Sequence, residues 1–309
     1  NSSPLNIEVS RDAAIEALQN EGLSLAEAEA RVPADDVFRT TSGPTVLGDP
    51  YGPDSYFEGF PGTETNNANN MGDLPATAYA FYGSGFTNDS RFNYKLTAGA
   101  VPEVERYGAF LTFEHEPFAM DNVTVYGDMI FTNTYARSEL APTATGAFYD
   151  PGSTPLVIPA RTPNPIAHPN EAALLGGERP AAEGSFNPFN PFNQDLTWGT
   201  QIRTFEFGNR IYENDNDAFN ATLGIEFADI ADTSWSIDGA LRYSIIEENF
   251  FTRQISISRF NRILDANDSF FDPNSSDYVG TTQPYNPFGY FRNPIPNNTL
   301  VAPNAIVET

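Results

Sequence analysis

The sequence has no cysteine, which excludes a disulfide framework and a thiolate metal site. Cations are scarce: 16 Lys and Arg stand against 41 Asp and Glu, a formal net charge of -25 at pH 7. Phosphate binding needs a basic footprint, so nucleic acid is not an expected partner. No stretch nears the roughly 18 consecutive apolar residues that mark a transmembrane helix. The first residues lack the basic-then-apolar start of a signal peptide. The chain begins and stops as though cut from something longer.

Catalytic patterns are equally thin. The two histidines, His115 and His168, fall in a tight turn and a Pro-rich loop. No Ser/His/Asp arrangement, phosphate-cradling glycine loop or HExxH pattern is present. Among 41 acidic residues, carboxylate pairs arise by chance. No enzymatic activity, cofactor or metal is expected. The densest acidic run, residues 213–217, lacks the glycine and distal glutamate of a calcium loop, so it reads as a solvated turn. The Asn-x-Ser/Thr triplets at Asn122 and Asn220 read as coincidence in an Asn-rich chain.

What the chain does have is alternation. Phe219, Ala221, Leu223, Ile225 and Phe227 occupy alternate positions, with Asn220, Thr222, Gly224 and Glu226 between them. After a polar turn at 228–234 the pattern resumes. Trp235, Ile237, Gly239, Leu241, Tyr243 and Ile245 share one face; Ser236, Asp238, Ala240, Arg242 and Ser244 share the other. Successive strand side chains point to opposite faces, so this is a hairpin with one apolar and one polar side. Each strand is near the 9–11 or so residues that span a bilayer, and Phe227 and Trp235 bracket the turn where a barrel carries aromatic residues. A soluble sandwich would alternate in the same way, with its apolar face turned inward.

A second, less regular hairpin sets Ala109, Leu111 and Phe113 against Val123, Val125, Met129 and Phe131 across a turn at 114–122, with Gly108 and Gly127 as bulge or close-approach positions. Ahead of it, Ser10 and Ser24 precede Ala/Glu-rich runs that stop at Gly22 and before Pro33. Two short helices are expected there. Residues 35–88 and 138–198 are rich in Gly, Pro and Asn, with no sustained period. They hold Asn-Pro-Phe-Asn-Pro-Phe at 187–192, a device that returns as Tyr-Asn-Pro-Phe-Gly-Tyr-Phe-Arg at 285–292. Irregular stretches this long argue against a compact soluble domain and suit a barrel with elaborate outer loops.

If both tight turns lie on one side of a membrane, strand 123–137 ascends and strand 218–227 descends. Everything between is then one external excursion, and the strand-like segment 199–212 is a β-ribbon or a wall extension instead of a crossing. This divides the chain into an outer loop region with two helices and an incoming strand (1–104), a barrel hairpin (105–137), a long loop with the ribbon (138–217), a second hairpin (218–247) and a truncated outer loop (248–309). Four crossings do not close a barrel, since about eight are the minimum. The expected class is all-β: an antiparallel transmembrane β-barrel segment with long extracellular loops. The alternative is a soluble β-sandwich.

Glu-Arg-Tyr-Gly-Ala-Phe-Leu-Thr-Phe-Glu-His at 105–115 and Asp-Asn-Val-Thr-Val-Tyr-Gly-Asp-Met-Ile-Phe-Thr-Asn-Thr at 121–134 resemble consecutive strands of TonB-dependent outer-membrane receptors. So, in order, do the Asn-Pro-Phe pair, Arg-Thr-Phe-Glu-Phe-Gly-Asn-Arg at 203–210, the strands at 212–227 and 235–244, and the segment at 284–296. The resemblance covers scattered segments from about residue 90 to 300, and no TonB box, plug domain or terminal aromatic strand is among them. It implies an outer-membrane location with lipid as a partner. It also implies binding of a scarce small-molecule or oligosaccharide solute, import into the periplasm, and coupling to a TonB-type protein through the missing plug. Readings outside this family are a secreted or cell-surface sandwich binding glycans or proteins, and a surface-array protein with calcium-linked contacts.

For the solute, aromatics on rigid Pro-flanked segments are a candidate platform: Phe189, Phe192, Tyr285, Phe288, Tyr290 and Phe291, with Arg203, Arg210 and Arg292 supplying polar contacts; the alternative is that the Asn-Pro-Phe segments only pack loops together. Acidic outer loops disfavour an anionic ferric chelate, so a neutral sugar or a cationic solute is expected.

Overall fold

The computed structural model describes residues 5–32, 34, 37–42, 79–82, 99, 101–117, 122–143, 156–166, 181–197, 201–202, 204–288 and 296–309. Two compact units emerge, and the chain passes repeatedly between them. One comprises Asn1–Ala98, Leu140–Arg210 and Gln254–Val307; the other comprises Gly99–Glu139, Ile211–Arg253 and Glu308–Thr309.

The second unit is built on long antiparallel strands: β4 (Glu103–His115), β5 (Val123–Leu140), β7 (Arg210–Phe227) and β8 (Ile237–Ile255). They lie in the order β4-β5-β7-β8, with the short β9 (Ile306–Glu308) beside β8. Leu111 pairs with Met129, and Leu223 with Leu241. Between β5 and β7, Ala228 N donates to Asn122 O at 2.8 Å, and the Asn133 amide reaches Asp215 and Asp217. Numbers fall along one strand as they rise along the other, so this pair too is antiparallel. The result is an open, mostly antiparallel sheet, which makes the chain predominantly β.

Both strands of the second hairpin outrun the expectation, β7 beginning at Arg210 and β8 ending at Ile255. The acidic run 213–217, read from sequence as a solvated turn, lies inside β7, with Asp215 opposite Asn249 and Asp217 opposite Glu247. Tertiary pairing overrides the low strand propensity of Asn and Asp here.

The first unit holds a small sheet ordered β3-β2-β1-β6, with β1 at Leu5–Ser10, β2 at Val37–Ser42, β3 at Tyr79–Tyr82 and β6 at Gln201–Ile202. β2 and β3 fall within the segment expected to be irregular. Helices α1 (Arg11–Asn20) and α2 (Leu25–Arg31) form where the serines place them. Ser10 Oγ accepts from Ala13 N, and Ser24 and Glu27 make a reciprocal capping box. Gly22, at φ 98°, ends α1 in a left-handed turn, with Leu23 N donating to Leu18 O. α1 buries Ala13, Ala14, Ile15, Ala17 and Leu18.

Helices α3 (Ile257–Leu264) and α4 (Pro296–Val301) also belong to this unit. Among the described residues of 199–212, β6 is two residues long, Phe205–Phe207 is a 3-10 turn with Phe207 buried, and Arg210–Tyr212 open β7. No described helix is long and apolar enough to cross a membrane.

Candidate functional site

Directly opposed residues in an antiparallel pair share a face, so the registers fix what each side of the long-strand sheet presents. One side carries Ala109, Leu111 and Phe113 from β4, and Val125, Met129 and Phe131 from β5. Phe219 to Phe227 and Ile237 to Ile245 extend it across β7 and β8 at alternate positions. The face is exposed: Leu223 is 54% accessible, Ile225 37%, Ile237 62% and Leu241 78%. A soluble sandwich requires these aliphatics to be enclosed by a second layer.

The band is bounded at both ends. Beside the turns stand Phe113, Phe227 and Trp235, with the Phe113 ring lying where a side chain on Gly127 would be. At the other end Tyr107 meets Phe131 (centroids 6.4 Å apart) and Phe219 meets Tyr243 (6.3 Å). Immediately past them the same face turns polar. The Asn133 Nδ2 group donates to Asp215 Oδ1 at 2.7 Å and Asp217 Oδ1 at 2.9 Å. Arg137 pairs with Glu139 at 2.7 Å and Glu213 at 3.1 Å. From Phe219 to Phe227 the strand advances about 27 Å, roughly 20 Å of height at a 40° tilt.

The opposite face carries Thr124, Tyr126 and Asp128; Asn220, Thr222 and Glu226; and Asp238, Arg242 and Ser244. Ser244 Oγ donates to Asn220 Oδ1 at 2.6 Å. Tyr126 reaches from β5 across Gly224 of β7, and its hydroxyl donates to Asp238 of β8 (2.7 and 3.0 Å to the two oxygens). Exposed apolar residues are fewer there, chiefly Phe110, Ile130, Ile246 and Phe250. The role of Gly224 was not visible in the sequence, because it depends on the β5–β7 register.

Among the described residues, three of the aromatics expected to contact solute are enclosed. Phe192 and Phe288 are 0% exposed and Tyr285 2%, all inside the core of the first unit. A side chain enclosed on all sides has no face to offer a sugar, so these three are corrected from solute contacts to core residues. Phe189 is partly buried and packs against the same core. The Arg210 Nε–H donates to Ala141 O at 3.1 Å, which makes it a tether within its own unit. Arg203, Tyr290, Phe291 and Arg292 lie outside the described residues.

The Asn-Pro-Phe segments share one construction. Asn187, Asn190 and Asn286 each accept, through Oδ1, the amide of the Phe two residues on, at 3.0, 2.9 and 2.9 Å. Proline supplies the fixed φ and has no amide to satisfy. The other end of the side chain is used as well: Asn187 Nδ2 donates to Leu264 O and Tyr285 O, and Asn190 Nδ2 to Pro159 O and Gln194 O. Burial first, then the charge of Glu206 and the hydrogen bond to it, push the Tyr285 hydroxyl well above its ordinary pKa.

Among the described residues, no cluster of His, Asp or Glu side chains is arranged to hold a metal ion. The chain matches no protein-family model and no curated protein.

Proposed function

We propose that the long-strand sheet is a sector of an outer-membrane β-barrel with its apolar face in lipid, and that the chain is part of a TonB-dependent receptor. Such a receptor binds a scarce solute at the cell surface and imports it into the periplasm, coupled to a TonB-type protein. The observation that carries the lipid assignment is the exposed aliphatic band, ended on both sides by aromatics and followed on the same face by charge. Hydrocarbon accepts such a band and rejects the residues beyond it. Topology agrees: the two tight turns lie at one end of the strands, and the long excursions leave from the other.

Among the described residues, the outer edge of β4 and most of β8 below Thr252 have no strand partner. In lipid each unpaired backbone group would cost several kcal/mol, so the lipid reading requires neighbouring strands on both sides. The receptor assignment rests on the ordered sequence resemblance. Acidic outer loops still favour a neutral or cationic solute over an anionic iron chelate, but the buried aromatics no longer support a sugar platform.

The absence of cysteine gives a clean test. In the protein reconstituted in phospholipid vesicles, a fluorophore on Leu241→Cys should be quenched by spin-labelled acyl chains. Arg242→Cys, one residue on, should instead react with a water-soluble thiol reagent. Equal aqueous labelling at both positions would exclude the lipid reading. Binding of neutral oligosaccharides and of ferric siderophores to the intact protein tests the solute; tight, salt-sensitive binding of the anionic chelate would refute the charge argument.

A further inference from the structure

Three separate stretches of chain leave the long strands, and within the first unit they converge on a single core. Val9 and Leu18 come from the first stretch, Ile158 and Phe192 from the second, Phe260 and Val301 from the third. Phe207 of the second packs against Phe260 and Tyr285 of the third, with ring centroids 5.1 and 5.3 Å apart. Hydrogen bonds cross the same divisions. Ser10 N donates to Gln194 Oε1 at 2.8 Å, Val157 N to Asn261 Oδ1 at 3.0 Å, and Ser185 Oγ to Asp265 Oδ2 at 2.5 Å. β1 of the first stretch also pairs with β6 of the second.

We infer that the three stretches open and close as one cooperative body, with no single loop able to move out alone. To leave, the second stretch would expose Phe192 and Phe207 and strand Leu264 O and Tyr285 O, which the Asn187 amide satisfies. It would also remove the β6 partner from β1. The costs of freeing one stretch therefore fall on all three, the condition for a cooperative unit.

Native-state hydrogen exchange of the intact protein across a denaturant series tests the inference without altering the chain. The slowest amides of α1, of the Ile158–Leu196 bridge and of α3 should converge on one opening isotherm. Three separate isotherms would overturn it. Asn187→Ala provides a second arm. Protection should fall by a common factor, about tenfold or more for two buried carbonyls left unpaired, in α1 as well as around residues 187 and 264. Loss confined to the second and third stretches, with α1 unchanged, would overturn it equally. Exchange in the β7–β8 ladder serves as the folding control. Cooperative exchange combined with aqueous labelling of Leu241→Cys would uphold this inference while the lipid reading fails.

Discussion

Adding one methyl group at Gly224 should break the contact that spans β5, β7 and β8 on the polar face. A Cβ built there falls 2.5 Å from the Tyr126 hydroxyl oxygen and 2.6 Å from Cε2, with Cζ closer still. The ring cannot tilt away freely, because its hydroxyl is held by both oxygens of Asp238. Overpacking of this kind costs about 1–3 kcal/mol. Replacing a strand glycine by alanine returns roughly 0.5–1 kcal/mol of backbone entropy, leaving a net loss of about 0.5–2 kcal/mol. The loss should be read as a shift in the unfolding midpoint in detergent or lipid, with the slope unchanged. The decisive arm is Gly224→Ala in a Tyr126→Ala background, where nothing overlies the glycine. There the same methyl should be neutral or slightly stabilising. An equal cost in both backgrounds would show that Tyr126 is not what Gly224 accommodates, and the reasoning would fail.

Leu241→Arg should destabilise the lipid-inserted protein by about 2–4 kcal/mol if the residue sits near mid-membrane; unfolding equilibria in bilayers measure this, and a change within 0.5 kcal/mol or so of zero would count against lipid contact. Phe288→Ala should cost about 3–5 kcal/mol of stability as a core truncation, measured by thermal or denaturant unfolding, and any effect on solute binding should track loss of fold. Asn190→Ala should cost about 1–3 kcal/mol, since it orphans buried carbonyls of Pro159 and Gln194; calorimetry of the intact protein checks it. The Tyr285 phenol is raised in the folded state, so its contribution is fully present below the ordinary phenol pKa of about 10 and is lost as pH rises beyond that. Phenolate absorbance should show this hydroxyl ionising only with unfolding, and Tyr285→Phe should flatten the alkaline decline.

The parts legible in the sequence were those governed by local rules. Ser10 and Ser24 started the helices because a hydroxyl at an N-cap satisfies a free amide whatever surrounds it. The alternation from Phe219 to Phe227 and from Ile237 to Ile245 sorted the faces because strand geometry leaves a side chain only two directions. The Asn-Pro-Phe segments were ambiguous because proline-fixed aromatics look the same whether they wait for a sugar or fill a core. Only the second end of each asparagine separates the two cases. Its Nδ2 must find distant acceptors, such as Leu264 O for Asn187 and Pro159 O for Asn190, and those partners cannot be read from the motif. β2 and β3 escaped notice for a related reason: each is short, and each gains its ladder only from a strand distant in sequence.

The acidic run of β7 shows how a boundary can be present in a sequence yet unreadable before the register is known. Alternate residues from Phe227 to Phe219 are apolar or small, and the next three on the same side are Asp217, Asp215 and Glu213. β8 makes its own change after Ile245, at Glu247. The register places Phe219 opposite Ile245 and Asp217 opposite Glu247, so both strands turn polar at one level. Directly opposed like charges disfavour pairing, and the sheet would be expected to fray there. Asn133 of β5 counters this by donating from one amide to both Asp215 and Asp217, and Arg137 of the same strand pairs with Glu213. The level at which charge begins is therefore held by three strands together. In the lipid reading it is also the level at which hydrocarbon must end, because carboxylates below it would have no water and no cation to pair with.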